Sequence, residues 1–186
     1  MESDDIEAEK ALYAFLEQHG VPYAHHAHPP LFTVADSREL RGDLPGAHVK
    51  NMFLKEKKGG LWLVTCLEDR AIRIRDLERE IGAKGCSFGK PDLLREALGV
   101  RPGAVTPFAV LNDPDRRVRV VLDRAVAEAD TVNAHPLHNA ATTALAAAEL
   151  MRFLRLTGHE PLIVDFDRLE AQARARAAEP EGSGGR

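Results

Sequence analysis

A single domain of mixed α/β class, built on a largely antiparallel sheet, is the fold that three observations in this sequence predict. First, "AHVKNMFLKEKKGGLWLVTCL" (47–67) reads as strand, Gly59-Gly60 turn, strand. Second, helical segments with clear start and stop residues are interleaved with short apolar runs in irregular order, which suits α+β or α/β packing. Third, the chain has 186 residues, 44% hydrophobic and 29% charged, enough for one real core and ordinary for a globular protein.

Taken in order, residues 5–19 read as a helix: Leu12, Phe15 and Leu16 share a face, Asp4 and Asp5 suit the positive N-terminal end, and Gly20 and Pro22 stop it. "VPYAHHAHPP" is a short strand ended by Pro29-Pro30, "TVADSREL" (33–40) a short helix capped by Thr33, and "RGDLPG" a loop. The second arm of the hairpin, "LWLVTCL", is apolar on both faces and so belongs in the middle of a sheet. "DLEREIG" is a helix stopped at Gly82, and "GCSFG" a short strand. "PDLLREALG" is a helix with Pro91 at its first position and Gly99 just past its end. "RPGAVTPFAVLND" is a loop, and "RVRVVLD" a strand with one wet face. From Thr131 the pattern reads as a strand, a loop, then a helix that turns Leu150, Phe153 and Leu154 inward and Arg152 and Arg155 outward. "PLIVDF" is a last strand, and from about Ala171 a brief helix end leads into a disordered Gly/Ser-rich tail. The domain is therefore expected over 1–170, with the tail at 171–186.

Composition also limits function. No run reaches the roughly 18–20 apolar residues of a membrane span, and the acidic start "MESDDIEAEK" lacks the pattern of a secretion signal. Cys66 and Cys86 have no CxxC spacing and read as reduced thiols, so a cytoplasmic protein is expected. The net charge of −4 does not advertise a nucleic-acid binder, and no helix-turn-helix signature points to duplex DNA. Any RNA contact has to use a local patch; Lys55, Lys57, Lys58, Arg70, Arg73, Arg75, Arg79 and Lys84 supply one, or simply a solvated face.

Within the hairpin, alternation puts His48, Lys50, Met52 and Leu54 on one face and Val49, Asn51 and Phe53 on the other. Lys50 either lays its stem on apolar surface and reaches water or holds an anion in a cleft. His25, His26 and His28 form an edge-strand cluster with no HExxH or carboxylate partner to suggest a metal. "NAHPLHN" offers Asn133, His135, His138 and Asn139, either as loop groups bonded to backbone or as a substrate-orienting imidazole. No serine lies in G-x-S-x-G and Cys66 sits inside a strand, so in a hydrolase water is the attacking group. The glycine of "GAVTP" can expose backbone N–H groups to an oxyanion.

Three stretches in this order, "VKNMFLKEKKGGLWLVTCLEDR", "GAVTPFAVLND" and "HPLHNAATTALAAAELMRFL", resemble the YbaK/prolyl-tRNA-synthetase-associated editing domains from about Ile6 to Leu169. Within that family they resemble most the freestanding ProXp-ala (PrdX) branch. The resemblance implies a barrel-like mixed sheet flanked by helices. It implies hydrolysis, by water, of the ester of alanyl-tRNA bearing the proline anticodon. It places Lys50 on a phosphate or the ester carbonyl, Gly103 of the GxxxP loop at the oxyanion, and His135, directly before its proline, on substrate or water. Asn51, Thr106, Pro107, Phe32 and Met52 are then substrate contacts. It implies no metal or cofactor, and as partners the acceptor end of proline tRNA with prolyl-tRNA synthetase or an elongation factor. Two alternatives stand beside it: a deacylase for cysteinyl-tRNA or another small residue, and a tRNA-binding module without catalysis.

Overall fold

The computed structural model describes residues 3–30 and 44–178. The expected helix at 33–40 and the substrate contact Phe32 lie outside the described residues.

Helix α1 (Ser3–Gln18) begins with Asp4 and Asp5 at its positive end and buries Leu12 and Leu16. Gly20, at φ +60°, turns the chain so that the Val21 N–H bonds the Leu16 carbonyl. Strand β1 (Ala24–Ala27) follows. The hairpin forms as its sequence predicts: β2 (Ala47–Lys55) pairs antiparallel with β3 (Leu61–Leu67), Lys50 facing Cys66 and Lys55 facing Leu61. Helix α2 (Ile74–Ile81) ends at left-handed Gly82. The short β4 (Ser87–Phe88) leads to α3 (Pro91–Leu98), which has Pro91 in its first turn and left-handed Gly99 as its C-cap. A 3-10 helix (Pro107–Asn112) lies inside what the sequence reads as loop. Then come β5 (Val118–Asp123), the one-turn α4 (Arg124–Ala127), β6 (Thr131–Ala134), β7 (Ala141–Ala146), α5 (Ala147–Leu156), β8 (Leu162–Val164) and α6 (Phe166–Ala178).

The eight strands form one mixed sheet in the order β1-β7-β6-β2-β3-β5-β8, with β4 on the outer edge of β2. Four pairings are antiparallel (β1–β7, β7–β6, β2–β3, β2–β4) and three parallel (β6–β2, β3–β5, β5–β8). The path stays open, since no pairing among the described residues joins β1 to β8.

Helices cover both faces. On one, α1, α3, the 3-10 helix and α5 bury Leu12, Leu98, Phe108 and Phe153 against Leu63 and Val120. On the other, α2 and α6 bury Leu77, Phe166 and Leu169 against Trp62, Val64, Cys66 and Val121. Strand β3 serves both cores, as its unbroken apolar run requires. Burial pushes the Cys66 thiol pKa up to about 12, which keeps the group protonated and inert.

Two further expectations change. The wet face of "RVRVVLD" extends only through Arg119, whose guanidinium lies 3.7 Å from the Trp62 ring centre; Val121, two residues on, is fully buried because α6 covers that half of the sheet. Ala141–Ala146, read as loop and helix start, is strand β7, held between β1 and β6. Among the described residues no helix is long and apolar enough to cross a membrane.

Candidate functional site

The second face of the sheet is divided. Its β3-β5-β8 half lies under α2 and α6. Across β1, β7, β6 and the start of β2 the same face carries polar side chains. Val49 and Phe53 belong to the larger core, so alternation turns His48, Lys50 and Met52 to this face. Val132 and Ala134 also point into the larger core, which turns Asn133 and His135 here. His26 faces Thr142 across β1 and β7, and Thr143, one residue on, points the other way to Tyr13 Oη at 2.9 Å. His26, Thr142, His135, Asn133, His48 and Lys50 thus form one row across four strands.

Strand β2 parts from β6 within this row. The two pair in parallel only at Ala47–Val132 and His48–Asn133. Lys50 and His135 each lie two residues further on, on the same face, where that ladder has ended. Beyond the gap β4 takes up the same edge, with the Gly89 N–H bonding the Phe53 carbonyl at 2.9 Å. The His48 carbonyl, by contrast, accepts from the Glu68 N–H on the β3 side. Odd-numbered residues of β2 therefore turn their backbone groups away from β3, and the N–H and C=O of Asn51 face the gap.

The Gly103–Pro107 loop is fastened to this strand from the other side of the sheet. Asn51 Nδ2 donates to the Val105 carbonyl at 2.9 Å, and Asn51 Oδ1 accepts from the buried Thr65 hydroxyl at 2.7 Å. Gly103 is exposed at φ +87°, and nothing lies within 4 Å of where a Cβ would stand. Its backbone, at the third position of the Arg101–Ala104 turn behind Pro102, requires glycine; packing does not. Thr106 and Pro107 are buried, and the Thr106 hydroxyl caps the 3-10 helix through the Phe108 N–H at 3.4 Å.

Lys50 is half-buried and donates to the Arg70 carbonyl. That carbonyl is well anchored. Arg70, assigned by sequence to a surface patch, is 8% exposed. Its Nε bonds Asp123 Oδ2 at 2.8 Å, Nη2 reaches Asp123 Oδ1 at 3.4 Å, and Nη1 reaches Asp167 and Glu170 on α6. The Asp167 bond leads in raising the already high Arg70 pKa, and the guanidinium holds exposed Asp167 below the usual carboxylate range. One Lys50 N–H is spent on the carbonyl, which leaves two for a ligand. Of the other patch arginines, Arg79 turns to Asp76 on its own helix.

His135 and His138 separate clearly. His138 is 1% exposed; its Nδ1 accepts from the Ala140 N–H, and its Nε2 lies 3.2 Å from Glu9 Oε1 without hydrogen-bond geometry. His135 is partly open, with Nδ1 3.1 Å from the Ala141 carbonyl. A carbonyl only accepts, so the proton sits on Nδ1 and Nε2 keeps its lone pair. Burial lowers the His135 pKa, with His28 and His138 adding to the effect and the Ala141 bond opposing it. The His28 ring centre lies 6.3 Å away, and His28 Nε2 is 2.9 Å from the Thr142 hydroxyl. Among the described residues no group of three or more His, Cys, Asp or Glu has the arrangement to hold a metal.

Asn133 stands out beyond the expected contacts. It is 3% exposed, and its Nδ2 donates to the Pro45 carbonyl at 3.0 Å. Its Oδ1 is buried with no hydrogen-bond partner among the described residues. Such an atom is costly to leave unpaired and marks a place where a donor is missing. Gly46 makes room for it: a Cβ there would lie 2.9 Å from Asn133 Nδ2. In the sequence, Asn133 was one polar group among four; only burial singles it out.

Known proteins resemble this chain in sequence and in fold. The sequence profile of the aminoacyl-tRNA editing domain matches residues 28–153. The chain is 37% identical over 164 residues to prolyl-tRNA synthetase associated domain-containing protein 1 of Danio rerio, covering 87% of this chain and 89% of that protein. It is 32% identical over 156 residues to the prolyl-tRNA editing protein ProX of Acetoanaerobium sticklandii, covering 83% and 95%. A crystal structure described as a candidate trans-editing enzyme for prolyl tRNA synthetase shares the fold at TM-score 0.64 and 20% identity, over 85% of this chain and 95% of that one. With its hairpin, its Gly103–Pro107 loop and its His135 segment all inside the matched region, the chain belongs to the aminoacyl-tRNA editing domain family.

Proposed function

We propose that the protein is a trans-editing deacylase that hydrolyses the ester of mischarged alanyl-tRNA bearing the proline anticodon, with water as nucleophile. The observation that carries this reading is the polar row on the sheet face, which ends at Lys50 and His135 where β2 leaves β6, together with family membership. The names of the relatives, prolyl-tRNA editing and prolyl-tRNA synthetase associated, support proline tRNA as the carrier.

The chemistry asks little of the protein. An aminoacyl ester is already activated, so positioning a water and stabilising the oxyanion suffice. Lys50 holds the terminal phosphate or the ester carbonyl with its two spare donors. The Nε2 lone pair of neutral His135 holds the water. Water adds to the carbonyl carbon, the oxyanion forms in the gap between Lys50 and the Asn51 N–H, behind which the Gly103 loop is pinned from the opposite side of the sheet, and its collapse breaks the bond to the ribose oxygen. That oxygen takes up the proton that the water gives up, and alanine leaves. The buried Oδ1 of Asn133 accepts from the substrate's ammonium or ribose hydroxyl. Met52 shapes the wall beside Lys50, while Asn51, Thr106 and Pro107 act from behind it by holding the Gly103 loop in place. Selection by size is needed because a synthetase that accepts proline rejects a smaller side chain by only about 10–200-fold per missing methylene. Prolyl-tRNA synthetase or an elongation factor is then the protein that hands over the mischarged RNA.

A panel of tRNAs charged with alanine, proline, cysteine and serine tests this directly. Loss of alanine with survival of proline is the expected outcome. Preferential loss of cysteine would support a related deacylase, and binding without cleavage a non-catalytic module.

The lowered pKa of His135 sets a second expectation. Only the neutral ring offers a lone pair, and burial keeps it neutral below the usual histidine value of about 6.5. kcat/KM for alanyl-tRNA should therefore stay level as pH falls through 6.5 and drop only below it, and His135→Ala should remove that limb. An acid limb at or above 6.5, or one unchanged in the variant, would take this role from His135.

A further inference from the structure

Phe88, on β4, is 64% exposed, more than any other large apolar side chain among the described residues. An isolated exposed apolar residue means little; the surroundings of this one do not fit an accident. Lys55, Lys57, Lys58, Lys84 and Lys90 flank it in the chain segments that meet at β4. All five are exposed, and none enters an ion pair among the described residues. The nearby carboxylate of Glu56 is already engaged. It accepts from Trp62 Nε1 and pairs with Arg119, contacts that hold its pKa below the usual range. In a chain of net charge −4, this is a concentrated positive surface around an aromatic ring.

The ring is also firmly presented. The Gly89 N–H ties the end of β4 to the Phe53 carbonyl, and a Cβ at Gly89 would lie 2.3 Å from the Phe53 ring. The Cys86 N–H is held by the Glu78 carboxylate, and the Lys57 stem packs over Gly85. Position completes the picture. Phe88 pairs with Leu54, on the face that carries Lys50 and Met52, at the far end of the gap beside β2. Leu54 lies four residues along the strand from Lys50, about 13 Å at ~3.3 Å per residue.

We propose that Phe88 and its lysines are the docking surface for the unpaired 3′ end of the RNA substrate. The ring stacks on a base that precedes the terminal adenosine, and the ammonium groups lie on the flanking phosphates. Stacking on an aromatic side chain inside a basic surface is how single strands are held without regard to sequence. This deepens the proposed function and rests on it for the identity of the RNA; the chemistry of the surface is carried by Phe88 and the lysines alone.

Anisotropy titrations of the full chain with two uncharged RNA acceptor-stem hairpins test the assignment, one with an unpaired four-nucleotide 3′ end and one trimmed blunt. Phe88→Ala should weaken Kd for the first about tenfold and leave the second unchanged, while Phe88→Trp restores wild-type affinity. Replacing Lys55, Lys57 and Lys58 together by alanine should lower the slope of log K against log salt by about 2. The urea midpoint of Phe88→Ala should match wild type, since the ring packs on little. Equal affinity of wild type and Phe88→Ala for the overhang, or equal losses on both hairpins, would overturn the assignment and leave the surface to a protein partner. Alanyl-tRNA hydrolysis is measured separately. Overhang-dependent binding without hydrolysis sinks the deacylase reading alone; hydrolysis with Phe88→Ala binding like wild type sinks this one alone.

Discussion

Lys50→Ala is expected to lower kcat/KM for hydrolysis of alanyl-tRNA bearing the proline anticodon by about 100–1,000-fold, the usual loss when one preorganised donor to a developing charge is removed. The fold should survive. Lys50 is half-buried and contributes one bond, to the Arg70 carbonyl, in a segment that Asp123, Asp167 and Glu170 already hold. Circular dichroism and the urea midpoint should therefore stay close to wild type while activity collapses. Lys50→Met keeps the apolar stem and should be as inactive, which separates charge from packing. Full activity in either variant removes Lys50 from the mechanism.

Asp123→Ala should be the most damaging single change to stability among the polar residues around the site. Asp123 is 1% exposed and takes four N–H groups: Arg70 Nε at 2.8 Å, Arg70 Nη2 at 3.4 Å, Leu67 N at 3.3 Å and Ala125 N at 3.0 Å, the last capping α4. Removing one partner of a buried ion pair costs about 3–5 kcal/mol, because the other charge stays behind. For a chain of this size that lowers Tm by roughly 10 °C. Activity should fall further than the folded fraction does, since Arg70 carries the carbonyl that orients Lys50. Asp123→Asn keeps the acceptor for the Ala125 N–H and should lose less. A cost below about 1 kcal/mol for the alanine variant would mean that Asp167 and Glu170 hold Arg70 without it.

Much of the geometry of the candidate site was legible in the sequence because its signals are local. Alternation in 47–55 placed Lys50 on the face away from Val49 and Phe53, where it stands. Pro102 and Gly103 marked a loop, and Gly103 adopts a positive φ in it. The residues alone left His135 and His138 open, and the family resemblance singled out His135, directly before proline; the structure leaves His135 partly open and buries His138 against Glu9. Arg70 misled. An arginine in "EDR" after a strand looks solvated, and only the approach of β5 and α6 gives it three carboxylates. "AATTALAAAELM" misled as well, because alanine favours helix and nothing in the segment alternates strongly. Pairing with β1 on one side and β6 on the other overrides that preference through Ala146. The unpartnered Asn133 oxygen could not be read at all, since burial without a partner is a property of the assembled sheet.

By itself, the sequence determined where most elements begin and end, which way each hairpin residue points, and where the backbone needs glycine or proline. Torsional preference, hydrophobic period and capping act over a few residues and are written there. Tertiary structure alone decided that β6 lies beside β2, that the two part after His48, and that the Gly103 loop is pinned to Asn51 from across the sheet. Those arrangements join segments 50 to 90 residues apart, and they form because every strand must bury its apolar side chains and satisfy its backbone at once. No local stretch of chain carries that requirement.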